Sequence, residues 1–186
     1  MGFHYTLRNF PKSFKQFIAA FVIVLGIGFF TGLLFIGQTE SNTPKGVVEN
    51  YNGNEDLAEV EVMKFKKGER EMLTIIHTHI LSLSFIFFLL GILIWGTEIS
   101  NTWKSILTIE PFVSVLTTFG GIYLIWLDYH YVSYLVIISG VLMTLSFVVG
   151  ALLVFQTLLK SGLLSPFALI STFQSTIDSI FSETEI

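Results

Sequence analysis

Histidine is the residue type with the most chemical potential in this sequence. Two of its four histidines stand one residue apart in REMLTIIHTHILSL, residues 70–83. A neutral imidazole can bind a haem iron or a divalent metal ion, and it can change its charge near neutral pH. Successive side chains on an α-helix rotate by about 100°, so His77 and His79 point roughly 160° apart. The two side chains therefore cannot both bind one ion from one regular helix.

A third histidine, His130, lies in the aromatic segment WLDYHYVSY, which also contains Asp128. This segment is a short connection between two apolar stretches. If the chain crosses a membrane four times, the connection lies on the same side as the start of the segment that carries His77. We therefore expect a gathering of polar and aromatic side chains at one membrane face: His77, His79, His130, Asp128, Glu71, Trp126, Tyr129, Tyr131 and Tyr134.

The composition is that of a membrane protein. Hydrophobic residues make up 52% of the 186 residues, 19 of them are Phe, and the mean hydropathy is +0.72. These values exceed those of an ordinary soluble domain. The net charge of −4 gives no basic face for nucleic acid. Because the chain has no cysteine, disulfides, thiolate metal sites and iron–sulfur clusters are excluded.

Four apolar stretches are each close to the roughly 20 residues that a membrane-spanning helix needs. The sequence predicts an all-α integral membrane protein, a four-helix transmembrane bundle. We place its spans at about 16–37, 73–96, 107–127 and 132–158. The long loop 38–72 joins the first two spans, and residues 1–160 form the transmembrane domain.

Residues 161–186 follow as a tail that we predict to be an amphipathic helix on the cytoplasmic side. Its apolar residues recur every three or four positions: Phe167, Ile170, Phe173, Ile177 and Phe181. Basic residues tie at five on each side of the membrane. The first span is preceded by Arg8, Lys12 and Lys15 without an acidic residue, which favours cytoplasmic N- and C-termini and an extracytoplasmic loop. The expected location is the inner membrane, as a multi-pass protein.

The second span has a polar and an apolar face. The face of His77 also carries Arg70, Thr74 and Ser84, whereas His79 shares its face with Met72 and several aliphatic residues. Because polar groups in a membrane usually turn into a bundle, we expect His77 to face the interior. Small residues predict close helix packing at Gly28, Gly32, Gly120, Gly121, Gly140 and Gly150. We interpret Glu110, next to Pro111, as a first-turn partner of the helix dipole, with an intramembrane proton-handling carboxylate as the alternative.

Three interpretations of the histidines are open. In the first, they are amphipathic residues of an interfacial aromatic belt and bind no cofactor. In the second, a b-type haem is held by His77 or His79, with His130 on the other side of the iron. The propionates of that haem would pair with Lys66, Lys67 and Arg70. In the third, copper or another divalent metal is bound by two or three of the histidines His77, His79 and His130, with Asp128 or Glu71.

Two functions follow from these interpretations. One is a haem-binding or metal-binding membrane subunit that transfers electrons at the outer membrane face. The other is a non-catalytic accessory or assembly subunit of a larger membrane or envelope complex. In both cases the partners are the lipid bilayer and either other membrane subunits or further copies of the chain. The architecture alone resembles small b-type membrane cytochromes, although His130 falls in a turn and not on a facing helix.

Overall fold

The computed structural model describes residues 6–39, 42–55 and 62–161, which form a bundle of long helices. The α-helices of this part are α1 (Lys12–Gln38), α2 (Pro44–Asn52), α3 (Glu69–Trp95), α4 (Asn101–Trp126) and α5 (Ser133–Lys160). Short 3-10 turns occur at Leu7–Asn9 and at His130–Val132. The four longest helices, α1, α3, α4 and α5, are apolar and long enough to cross a membrane. The predicted all-α transmembrane bundle is confirmed.

The predicted loop 38–72 contains a helix that the sequence interpretation missed. In α2 the Thr43 side chain accepts a hydrogen bond of 3.0 Å from the backbone N–H of Gly46. Pro44 occupies the first helical turn, where its missing N–H costs nothing. The predicted amphipathic tail lies beyond Ser161, outside the described residues.

The helix α4 begins well before the predicted start of its span at residue 107. Pro111 is consequently an interior residue, and the helical hydrogen bond that its nitrogen would donate is missing. Glu110 lies in the third turn and not in the first, so its predicted role as a first-turn dipole partner is wrong. Trp103 and Trp126 stand near the two ends of the same helix.

The helices differ in how extensively they pack against one another. The longest seams are those of α4 with α5 and of α3 with α4, while α1 contacts chiefly α5. On that last seam the rings of Phe29 and Phe147 are stacked, with centroids 3.8 Å apart. Most of the large side chains of α1 face outward.

The chain termini of the described part lie at one end of the bundle, as a four-span topology predicts. The backbone N–H of Leu7 donates to the carbonyl of Gly96 at 2.8 Å, beside the α3–α4 connection. Arg8 and Glu98 form an exposed ion pair of 3.6 Å. Lys160, at the end of α5, lines a cavity with both of them. The cytoplasmic assignment of this end remains a prediction.

Glycine allows close packing at two of the predicted positions. A Cβ atom on Gly121 would lie 2.5 Å from Cγ2 of Val136, and one on Gly150 would lie 2.7 Å from Cδ1 of Ile94. The remaining four predicted glycines have open space where a Cβ would be: Gly28, Gly32, Gly120 and Gly140. Close approach of α4 to α5 and of α5 to α3 therefore depends on Gly121 and Gly150.

Candidate functional site

The helix α2 lies over the end of the bundle where α3 begins and α4 ends. Val47 of α2 is buried, with 2% of its surface exposed. The segment that leads into α3 is tied to α2 by a 3.1 Å hydrogen bond from the N–H of Lys67 to the carbonyl of Tyr51. The start of α3, the end of α4 and the turn that follows α4 therefore lie at one end of the bundle, as the four-span topology predicts, and α2 covers that end.

Asn52, the last residue of α2, connects the elements that meet at this end of the bundle. Its Nδ2 donates to the carbonyl of Ile125 at 2.8 Å and to Oδ1 of Asp128 at 3.0 Å. The same nitrogen lies 2.9 Å from Nε2 of His130. In the tautomer that carries its proton on Nδ1, Nε2 of His130 is a third acceptor, which shares the two N–H donors of Asn52 with Ile125 and Asp128. One side chain thus joins α2 to the end of α4 and to the turn that follows.

Asp128 shapes that turn and carries its charge. Its backbone φ of +72° is in the left-handed region, which aspartate tolerates better than most residues. Lys66 donates to both carboxylate oxygens at 3.2 Å, and Nε2 of His130 is 3.7 Å from Oδ1. The carboxylate of Asp128 is therefore already neutralised by a lysine that a metal ion would have to displace.

The basic residues predicted to bind haem propionates have different surroundings. Nζ of Lys67 forms an ion pair of 2.6 Å with Glu71, one helical turn away. The Lys67 carbonyl accepts a 2.8 Å hydrogen bond from the indole of Trp126. Nζ of Lys66 lies 5.8 Å from the centre of the same indole ring, a cation–π distance. Both lysines thus fasten the loop to α4, whereas Arg70 stands in an open groove.

The two neighbouring histidines face opposite ways, and the predicted direction is wrong. His79 is exposed, as His77 is, but its ring stacks on Phe119 of α4 with centroids 4.9 Å apart. Its Nδ1 lies 2.7 Å from the carbonyl of Ile75. His77 is exposed on the outer side of α3. The apolar face packs inward because lipid is as apolar as leucine, so shape and not polarity selects the buried face.

The predicted ligands do not assemble in one chain. His130 and Asp128 come together at the covered end, His79 packs against α4, and His77 and Arg70 face outward. Among residues 6–39, 42–55 and 62–161, no three His, Asp or Glu side chains are grouped so that they could hold a metal ion.

Tyr51, next to Asn52, is a titratable group that the sequence interpretation did not single out. Burial beneath the loop raises the pKa of its phenol above the ordinary value of 10.0, and a hydrogen bond with Asn50 opposes that rise. Burial disfavours the charged phenolate. The folded protein, in which α2 covers this end of the bundle, therefore favours the neutral phenol of Tyr51.

The raised pKa of Tyr51 predicts that the folded protein becomes less stable at alkaline pH. Below about pH 10 the phenol is neutral in both the folded and the unfolded chain. Above that pH the unfolded chain loses its proton first, so the free energy of unfolding falls, by at most about 1.4 kcal/mol per pH unit. Tyr51→Phe should remove this part of the loss in thermal unfolding measured against pH. Tyr131→Phe, at a residue with 76% exposure, should leave the pH profile unchanged.

A second polar group lies inside the bundle, between α4 and α5. Glu110 accepts hydrogen bonds from the hydroxyl groups of Ser114 on its own helix and of Ser146 on α5. Farther along the same seam, the hydroxyls of Thr118 and Ser139 are 2.7 Å apart. The four-residue spacing of Glu110, Ser114 and Thr118 could have indicated one polar face of α4, a signal that the sequence interpretation did not use.

Comparison with known protein families gives a match over most of the helical part of the chain. A family of transmembrane helical domains, Aq_1264_TM, matches residues 41–163, well over half of the chain. The matched residues include α2, α3, α4 and α5, and therefore both the covered end and the polar seam. No curated protein and no solved structure matches the chain. The chain belongs to the Aq_1264_TM family of transmembrane helical domains.

Proposed function

We propose that this protein is a non-catalytic subunit of a membrane assembly, which it joins through the outer polar face of α3. The observation that carries the proposal is the outward direction of His77. Ionisable residues in membrane helices almost always face other protein or a water-filled space. A neighbouring chain against this face would give His77 such surroundings.

The outer face of α3 forms a shallow, open groove along this one helix. Its walls are Glu69, Arg70, Leu73, Thr74 and His77. Within the described ranges, Glu69, Arg70 and His77 have neither a hydrogen bond nor an ion pair through their side chains. Three adjacent polar groups therefore keep their full bonding capacity for a neighbour.

The proposed neighbour is a second copy of the chain. Copies inserted in the same direction present the same residues at the same depth, and a two-fold axis along the membrane normal makes the contact self-complementary. Glu69 and Arg70 are adjacent and of opposite charge, so each can pair with the other residue of its partner. Two His77 rings at one depth can also form a hydrogen bond, because a neutral imidazole both donates and accepts.

Disulfide cross-linking tests this arrangement. Because the sequence has no cysteine, any disulfide must form through the introduced residue. Thr74→Cys places a thiol in the groove, and mild oxidation in native membranes should give a cross-linked dimer on a non-reducing gel. Leu135→Cys is the matched control, because Leu135 is exposed near the same end of the bundle but on α5. Equal cross-linking at the two positions would contradict the proposal.

A b-type haem between the two copies is a second candidate function. It is favoured by one observation: of the predicted ligands, His77 is exposed, without a side-chain partner in the described ranges, and two helical turns below Arg70. In a two-fold dimer each copy would supply one His77 as an axial ligand. Arg70 from each copy could pair with a propionate. Electron transfer would then be a property of the dimer.

Absorption spectra of the same purified dimer separate the two candidates. A Soret band that shifts on reduction and is lost in His77→Ala would support the haem, which would hold the two helices too far apart for the Thr74→Cys disulfide to form. A spectrum without that band, in protein that still cross-links, would leave the non-catalytic subunit. His130→Ala should not change the spectrum in either case, because Asn52 already engages that ring.

A further inference from the structure

The carboxyl group of Glu110 lies between two membrane-spanning helices and is bonded on both oxygens. Ser114, one turn along α4, donates to Oε1, and Ser146 of α5 donates to Oε2. Both serines are buried and Glu110 is half-buried. Pro111 beside it is buried as well and gives no backbone N–H to this region. The carboxyl group is thus held in a fixed position by two hydroxyls.

No other ionisable side chain shares its depth. Residues 16–38 of α1, 80–95 of α3 and 135–159 of α5 contain none, and Glu110 stands alone in residues 105–122 of α4. The titratable or charged groups on the surrounding helices and on the segments at their ends lie toward the helix ends: Arg8, Lys12, Lys15, Glu98, Lys104 and Lys160 at one end, and Glu69, Arg70, Glu71, His77, His79, Tyr123 and Tyr134 toward the other.

Three charged groups at the end of the bundle nearer to Glu110 have hydrogen-bond or ion-pair partners other than Glu110. Nζ of Lys104 donates to the carbonyl of Trp95 at 3.1 Å, and Glu98 pairs with Arg8. No cation of the described chain is therefore paired with Glu110. Glu110 is half-buried, so an ionised carboxylate without a counter-ion is less well stabilised there than in water, and the two hydroxyl donors offset part of that cost.

We propose that Glu110, with Ser114 and Ser146, forms a proton-binding site within the membrane. A proton from water forms an O–H bond with one carboxyl oxygen, and no electrons are transferred. The resulting acid donates to one serine oxygen while the other serine still donates to the carboxyl group. Both charge states use the same three side chains, so the proton can be bound and released without rebuilding the seam.

A route for exchange with water begins at the end of the bundle nearer to Glu110. A cavity of about 260 Å³ opens there between the N-terminal segment, the α3–α4 connection and α5. Gln156, Thr157 and Lys160 form its wall on α5. Thr157 lies three helical turns, about 16 Å, from Ser146 on the same helix, so a proton that enters through this cavity still has that distance to cover.

Labelling with a lipid-soluble carbodiimide tests the proposal on the full chain in liposomes. This reagent attacks protonated carboxyl groups in apolar surroundings, and mass spectrometry of peptides locates the adduct. We expect an adduct on Glu110 that declines by up to about tenfold per pH unit once the group ionises. Glu98 is the internal control, since it is an exposed carboxylate near the same end. Glu110→Gln should abolish the adduct.

Infrared spectra of the unmodified protein give a second readout that requires no variant. A carboxylic-acid C=O band that shifts in D₂O, and is replaced by carboxylate bands as the pH rises, would support the site. Carboxylate bands alone between about pH 5 and 9, with no adduct on Glu110, would overturn it. Protection of Glu110 by sodium chloride but not by choline chloride at constant pH would also overturn it, because the bound ion would then be sodium.

Discussion

Gly121→Ala should lower the free energy of unfolding by about 1–3 kcal/mol, the usual cost of overpacking a well-filled interface. The added methyl group would lie 2.5 Å from Cγ2 of Val136 and 3.2 Å from Cγ1 of Val132. A valine side chain in a helix has essentially one favoured rotamer, so Val136 cannot turn away at low cost. We expect α4 and α5 to separate slightly along their seam.

Reversible unfolding in mixed detergent micelles would measure this effect. Gly120→Ala is the matched control, because it makes the same chemical change at the adjacent residue, where nothing lies within 4 Å of the new methyl group. The control should be neutral or slightly stabilising, since alanine is the better helix former. Equal losses in the two variants would show that the close contact with Val136 is not what matters.

Leu90→Ala is expected to cost about 2 kcal/mol, the lower end of the range for emptying a buried leucine site, because lipid removes most of the transfer term. Leu90 of α3 is only 1% exposed, and its Cδ2 lies 3.4 Å from the Cβ position of Gly150 on α5. In a membrane, transfer from water contributes little to helix association, so the loss comes mainly from missing van der Waals contacts.

The exposed face of the same helix provides the control for Leu90. Leu81 is 59% exposed, and Leu81→Ala exchanges contacts with lipid or detergent for other such contacts. The same unfolding measurement should give a loss well below that of Leu90→Ala. If both variants lose the same stability, Leu90 is not a packing residue between α3 and α5.

The membrane spans were predictable from the sequence because hydropathy and length are local properties. Each predicted span lies mainly within one of the long helices, and the short connections correctly placed the start of α3 beside the end of α4. The helix α2 was missed although Thr43 and Pro44 carry a common start signal. The polarity of the surrounding loop outweighed that signal.

Which face of α3 packs against the other helices was not predictable from polarity alone. A polar side chain is expected to turn inward, yet His77 faces outward, while His79 stacks on Phe119. The deciding factor is the fit of side chains on two helices that are distant in sequence. That fit depends on which helix is the neighbour and at what height, neither of which a single amphipathic pattern contains.

The partners of Glu110 illustrate the same limit. Ser114 is one turn away and could be identified from spacing, but Ser146 belongs to α5 and is reached only because α4 and α5 are antiparallel and in one particular register. The sequence did show that a carboxylate lies in an apolar segment. It did not show that two hydroxyls hold it.

The tryptophans at the two ends of α4 relate the protein to the thickness of its membrane. The helical rise places the Cα atoms of Trp103 and Trp126 about 34 Å apart. Indole rings favour the two headgroup regions, on either side of about 30 Å of hydrocarbon. α4 therefore suits a bilayer of ordinary thickness when it stands nearly upright. A thinner bilayer would require α4 to tilt, and α5, packed along it, would tilt in the same movement.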